Sequence, residues 1–327
     1  MTETRTGTEA GTESGTEAGT EAATEAGAES VAAMRFGIQL PVQAQSRIFV
    51  EDWEGSAGPA AIAATAAHAD RIGLDYVAAC DHVGIPDRLA GSMGATWYDP
   101  VAVLAHCAAV TERVALVSAI AVAPLRHPLL LAKQYASLDA LSAGRLILGV
   151  GAGHVEEEFA ALGVDFHRRG ALLTSAVGEL KTALSTGRLD GLRISPRPAA
   201  VPRPPIWVGG HSAAAVRRAA LHADGWLSQG NDLDSLTEML ALVRGLRPPE
   251  RPFAVNAIAP PVYVGEPGWD TGRAVTGKPD RLAGLFARYR AAGATHLQIR
   301  PRSRSLDEYL DQLSALATEV LPLVPTA

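Results

Sequence analysis

Eight short apolar runs, each followed by a stretch of helical period, constrain this chain more than any other feature. The runs are FGIQL (36–40), DYVAAC (75–80), VALVSAIAV (114–122), RLILGVG (145–151), PIWVGG (205–210), DGWLSQ (224–229), FAVNAIAPPVYV (253–264) and THLQIR (295–300). Near-continuous apolar runs of this length fit strands of a parallel sheet that is covered on both faces. Helical stretches lie between them. Pro59–Arg71 opens with Pro at a favoured first-turn position and stops before Gly73. Asp99–Thr111 opens with an Asp N-cap followed by Pro. Pro128–Leu141, Arg168–Thr186, Ser212–His222, Ser235–Arg244, Pro279–Ala292 and Leu306–Leu321 complete the set. Eight repeats of strand and helix predict an α/β fold, a single (β/α)8 TIM barrel, with a doubly wound sheet as the alternative.

One segment breaks the rhythm. Gly187 to Pro205 is rich in Pro and Arg and precedes the fifth strand. It is read as an excursion loop between strands four and five, with one short strand at 192–194, and either a lid or a plain connector.

The first 33 residues stand apart from the barrel. They are a loose repeat of Gly, Thr, Glu and Ala with one Val and no aromatic residue. Such a segment cannot bury enough apolar surface to offset its chain entropy, so residues 1–33 are expected to be a disordered tail and 34–327 the catalytic barrel. Seven Glu and one Arg in the tail account for the whole formal charge of −6. The body is neutral, which argues against nucleic acid or a charged membrane surface as the main partner. No run approaches the length of a membrane span and the tail does not read as a secretory signal, so cytoplasm is the expected compartment. Cys80 and Cys107, the two cysteines, make no disulfide framework and are read as buried thiols.

In a barrel the active site sits at the C-terminal ends of the strands. His82, His127, His154 and His211 all fall just past a strand end. Imidazole suits proton transfer near neutrality. No His, Cys or carboxylate cluster has ligand spacing, so no metal site is expected, and no Gly-x-Ser-x-Gly elbow occurs. The loop GVGAGH (149–154) is not the Gly-x-Gly-x-x-Gly dinucleotide fingerprint, and no strand-ending acid follows it. Its glycines, with Gly209-Gly210-His211-Ser212 on the next strand, suggest a phosphorylated ligand approached by backbone amides, or tight βα turns alone.

The succession FGIQLP, DHV, WYDP, TERV, PLRHPLLLAKQYASLDALSAGRLILGVGAG, PIWVGG and DGW resembles the luciferase-like monooxygenase superfamily, in its coenzyme F420-dependent oxidoreductase branch. The similarity covers about Met34 to Leu321. It implies a barrel, usually dimeric, holding F420 or a flavin at its C-terminal mouth. By position it gives Asp81 and His82 beside the reactive face of the ring. By the same match Ala152, Gly153, Gly209, Gly210 and His211 would line the cofactor. The resemblance also places a non-proline cis peptide of some members at Ala119-Ile120. A sugar-phosphate-oxidising relative has Glu where this chain has His154 and Trp where it has Pro86, so sugar-phosphate oxidation is not expected. The implied chemistry is hydride transfer between the deazaflavin C5 and a small organic substrate, with His82 or His154 as the catalytic proton donor and Trp97, Tyr98 and Trp226 as candidate pocket walls. The alternative is an FMN-dependent monooxygenase that takes reduced flavin from a separate reductase and uses O2. A non-catalytic cofactor-binding protein is the rival from another class.

Overall fold

The computed structural model describes residues 33–44, 50–230, 232–248 and 250–326. The expected disordered tail, apart from Ala33, lies outside the described residues.

Eight strands run parallel: β1 (Arg35–Gln39), β2 (Tyr76–Ala79), β3 (Ala115–Ser118), β4 (Leu146–Gly151), β5 (Ile206–Gly209), β6 (Gly225–Leu227), β7 (Ala254–Ile258) and β8 (His296–Ile299). They pair in chain order, and β1 pairs β8 with Gly37 opposite Gln298, which closes the ring. Beyond β3, Ala121–Val122 continues along β4, opposite Val150 and Gly151. The helices are α1 (Pro59–Arg71), α2 (Asp87–Met93), α3 (Pro100–Ala108), α4 (Pro128–Leu141), α5 (Glu156–Ala161), α6 (Arg169–Thr186), α7 (Ala213–His222), α8 (Leu233–Leu246), α9 (Pro279–Ala292) and α10 (Leu306–Ala315).

Alternation along each strand explains why the runs are apolar throughout. Tyr76, Ala78, Val117, Ile147, Trp207 and Leu227 form a cluster of their own inside the barrel. Their strand neighbours Val77, Leu116, Leu148 and Val208 belong to the outer layer with Leu104, Leu131, Leu180, Val216 and Phe286 from the helices. Each of these outer side chains is fully buried, and burial of that kind contributes about 1.5–3 kcal/mol per residue.

The caps do what their residue types favour. The Asp99 carboxylate accepts from the Val101 and Ala102 amides at the start of α3, and α6 stops at Gly187, whose φ is 68°. The run at 253–264 is two strands: β7, and Val262–Val264, which pairs in parallel with Val275–Gly277 in the long connection to α9.

The excursion at 187–205 is not a lid. It joins α6 to β5 and so lies at the N-terminal ends of the strands, away from the expected mouth. There the Asp139 carboxylate accepts from the Ala200 amide, Lys133 donates to the Ser195 carbonyl, and Arg203 pairs with Asp224. Its regular structure is a two-residue hairpin, Arg188–Leu189 with Leu192–Arg193.

Candidate active site

The ends of β2 and β4 bring the two expected catalytic histidines together. The His82 and His154 rings meet edge to face with centroids 5.3 Å apart. Trp97, from the long segment after β2, meets the His82 ring in the same manner at 4.4 Å. The third neighbour is one that sequence reasoning missed. Glu158, in the first turn of α5, places its carboxylate 2.9 Å from His82 Nδ1. Its other oxygen accepts from the backbone amides of Val83 at 2.5 Å and Gly84 at 3.2 Å. The His82 side chain is 7 % exposed and that of Glu158 is 2 % exposed, so this is an enclosed pair. Burial pushes the Glu158 carboxyl up, but the hydrogen bonds from His82, Gly84 and Val83 outweigh it and hold the group below its ordinary value.

His154 differs from His82. It is exposed at the rim, yet partial loss of hydration lowers its imidazole, helped by the nearby His82 and His211 and opposed by Glu158. His211 sits at the same rim, exposed, just before Ser212, whose hydroxyl caps α7 by accepting from the Ala215 amide. The fourth rim histidine, His127, acts locally, because its Nδ1 accepts from the Leu129 amide and caps α4.

Asp81 is fully engaged. Its buried carboxylate takes two hydrogen bonds from Arg126, at 2.5 and 2.9 Å, and one from the Val122 amide at 2.8 Å. It therefore fixes the chain that follows β3. In that chain the Ala119–Ile120 peptide is cis, at the position the resemblance gave.

The glycines divide by physical cause. A Cβ on Gly151 would meet Ile120 Cδ1 at 2.5 Å, and one on Gly209 would meet Ile120 Cγ2 at 2.5 Å. These two glycines make room for Ile120. Gly153 has φ of 77° at the turn into α5, and a Cβ there would strike Val122 and Phe159. Ala152 and Gly210 are half-buried beside them. Trp226 is not a pocket wall: it is fully buried in the outer core, and its indole N–H donates to the Gly210 carbonyl at 2.7 Å.

Cys80, at the end of β2, accepts from the Gln43 amide nitrogen at 2.9 Å, and burial pushes its thiol up to about 11. Cys107 is buried in α3, and loss of hydration pushes it to about 12. Neither is a thiolate near neutrality. Among the described residues no group of three or more His, Cys, Asp or Glu is arranged to hold a metal ion. Among them also, no helix is long and apolar enough to cross a membrane.

The rim between β2, β4 and β5 therefore carries three imidazoles, one indole and the N-terminus of a capped helix. Its two buried carboxylates are both engaged, Asp81 by Arg126 and the Val122 amide and Glu158 by His82 and the Val83 and Gly84 amides. This donor set fits an anionic cofactor, because among the described residues the rim offers imidazoles and a helix N-terminus, which favours an anion.

Comparisons with known proteins agree with this architecture. A family model described as luciferase-like monooxygenase matches residues 34–268. An uncharacterized protein of Mycobacterium tuberculosis is 35% identical over 177 residues, which is 51% of this chain and 61% of that protein. An F420-dependent glucose-6-phosphate dehydrogenase of Beutenbergia cavernae is 32% identical over 202 residues, 57% of this chain and 58% of that protein. The chain thus spans about three fifths of the length of these curated relatives. Among solved structures, the monooxygenase RslO1 of Streptomyces bottropensis superposes with a TM-score of 0.71 at 21% identity, covering 88% of this chain and 99% of that one. The coenzyme F420-dependent tetrahydromethanopterin reductase of Methanopyrus kandleri gives a TM-score of 0.69 at 18% identity, covering 90% and 100%. At these identities the two structures speak for the fold.

Proposed function

The chain belongs to the luciferase-like monooxygenase family, and on that basis we propose that it is an F420-dependent oxidoreductase whose proton-handling residue is His82. The observation that carries the assignment of His82 over His154 is the carboxylate of Glu158 at its Nδ1. A carboxylate at Nδ1 orients the His82 ring and receives its Nδ1 hydrogen, whereas partial loss of hydration and the neighbouring His82 and His211 disfavour the charged form of His154.

The residues that would hold the cofactor are Ala152 and Gly153 after β4, and Gly209, Gly210 and His211 at the amino end of α7. Ile120, in the chain fixed by Asp81 and Arg126, would also contact it. When bound in reduced form, the deazaflavin supplies a hydride from its C5. His82 then delivers a proton to the substrate atom that keeps the electron pair, completing reduction of an activated C=C or C=N bond, and accepts one in the reverse direction. Trp97 and His154 enclose the His82 ring and keep bulk water from it. The enclosure matters because a positioned acid in a water-poor site transfers its proton without first shedding a hydration shell.

Parallel absorbance titrations of the purified chain with F420 and FMN test the reading. F420 binding at micromolar or tighter Kd, with FMN weaker, supports it. FMN bound tightly, with reduced flavin consumed together with O2, favours the monooxygenase chemistry of the family instead. Binding without turnover of any acceptor leaves only a cofactor-binding protein.

A further inference from the structure

We infer that Glu158 is the positioning residue of this site: it locks His82 into the tautomer with hydrogen on Nδ1, leaving Nε2 as the one ring nitrogen that exchanges a proton with substrate. The inference rests on His82 as the proton-handling group of the proposed function and gives that role a specific atom.

The geometry supports it in three steps. First, Nδ1 lies 2.9 Å from Glu158 Oε2, well within hydrogen-bond range. An ionised carboxylate only accepts, so the hydrogen in this bond belongs to the imidazole. Second, the carboxylate is held in its ionised form. Against the cost of burial stand His82 itself and the two amides of Val83 and Gly84. Third, the two oxygens have separate partners. Oε1 serves the Val83 and Gly84 amides and so ties the loop after β2 to α5, while Oε2 alone touches the imidazole. The groups that face the His82 ring are Glu158 from α5 and His154 from the loop after β4, with uncharged Trp97 on a third side.

The proton balance follows from this arrangement. The doubly protonated ring gives its Nε2 hydrogen to the substrate atom that holds the electron pair after hydride addition. What remains is the neutral ring, still bearing Nδ1–H toward Glu158. Water restores the Nε2 proton for the next turnover. An orienting carboxylate of this kind acts through the imidazole and does not itself become protonated.

Glu158→Gln separates this role from a structural one. The glutamine oxygen still accepts from Val83 and Gly84, so the loop stays tied. Its amide group donates, so it pairs with an unprotonated Nδ1 and inverts the tautomer. Long-range proton–nitrogen NMR on the full chain with 15N-labelled histidine reads the tautomer directly, with His82 assigned by its loss in His82→Gln. The expected result is Nδ1–H in the wild type and Nε2–H in Glu158→Gln. A wild-type ring carrying its hydrogen on Nε2 overturns the inference, and so does an unchanged tautomer in the variant. If Glu158→Gln fails to fold, Glu158→Asp, which keeps the carboxylate, should fold and retain Nδ1–H; Nε2–H there overturns the inference.

Turnover of reduced F420 with 2-cyclohexenone supplies the second readout. Glu158→Gln should lower kcat by about 10- to 100-fold, the usual cost of losing a partner that orients a ligand or acid. KM should change little, and the alkaline limb of kcat should move to lower pH, because the imidazolium has lost its counter-charge. A merely structural residue would lower the melting temperature and leave that limb in place, which overturns the inference. The NMR readout needs no cofactor. If the tautomer inverts as expected but His82→Ala turns over normally, the proposed role of His82 fails while the Glu158 contact stands.

Discussion

The two ends of the barrel use the same residue types for opposite purposes. At the N-terminal end, charged side chains satisfy the backbone. The Asp70 carboxylate accepts from the amides of Glu112, Arg113 and Val114, fixing the approach to β3. Arg145 donates to the carbonyls of Ser142, Val114, Ala108 and Thr111. Asp224 accepts from the Ile206 amide and from Arg203. At the C-terminal end, charged and aromatic side chains face each other: His82 with Glu158, His154 and Trp97. The comparison teaches that charge near a strand end is not itself a sign of chemistry. What distinguishes the mouth is an imidazole paired with a carboxylate, His82 with Glu158. Asp81 shows that the boundary is not absolute, since it lies at the mouth and yet commits its carboxylate to Arg126 and the Val122 amide.

The largest effect expected on this contrast is at the mouth. His82→Ala should lower kcat by about 10²- to 10⁴-fold, the range of a general acid–base group, with a smaller loss of cofactor affinity. His154→Ala should cost less. Steady-state kinetics normalised to the folded fraction provides the check, and wild-type kcat in folded His82→Ala would remove the chemical half of the comparison.

A histidine at the other end should behave in the opposite way. His296 starts β8 and lies buried against Trp207, with ring centroids 4.8 Å apart. Loss of hydration, aided by Arg35, pushes its imidazole down from 6.5 to about 4. Between those two values the unfolded chain binds a proton that the folded chain refuses. Stability is therefore full above the unfolded value and falls as the pH drops from there to the folded one, by about 3 kcal/mol in total. Denaturant melts across this window, compared with His296→Leu, should show a shallower slope in the variant and an unchanged kcat per folded molecule.

Asp70→Ala should leave its three amides without their acceptor and cost about 1–3 kcal/mol of stability. Its melting temperature should fall while kcat of the folded fraction holds. A selective loss of kcat would mean that the two ends are coupled.

The smallest effect is expected from removing residues 1–33. A chain that starts at Met34 should keep both its melting temperature and its affinity for F420, because the removed segment has almost nothing to pack. A drop of several degrees would show that it joins the N-terminal end after all.

The strands were legible because both faces of each are buried, so apolar character is continuous and its length is that of the strand. Four helices gave themselves away by Pro near the first turn, at 59, 100, 128 and 279. The short helices α2 and α5 were not legible, since seven and six residues carry too little periodicity. The excursion at 187–205 was found, but not its end of the barrel, although chain order alone fixes it: a segment that enters a strand cannot cover the end where the strand finishes.

What the amino-acid sequence determined by itself is the fold and the rim, because both follow from local pattern: periodicity sets each element, and a residue just past a strand end must stand at the mouth. What only the tertiary structure decided is who meets whom there. His82 and Glu158 are 76 residues apart, and nothing in the acidic run 156–158 distinguishes the one glutamate that turns inward. Likewise no local signal says that the glycines at 151 and 209 yield to Ile120 or that Asp81 belongs to Arg126. Such pairings are set by closure of the ring and the packing of side chains from distant segments, and these exist only once the barrel has folded.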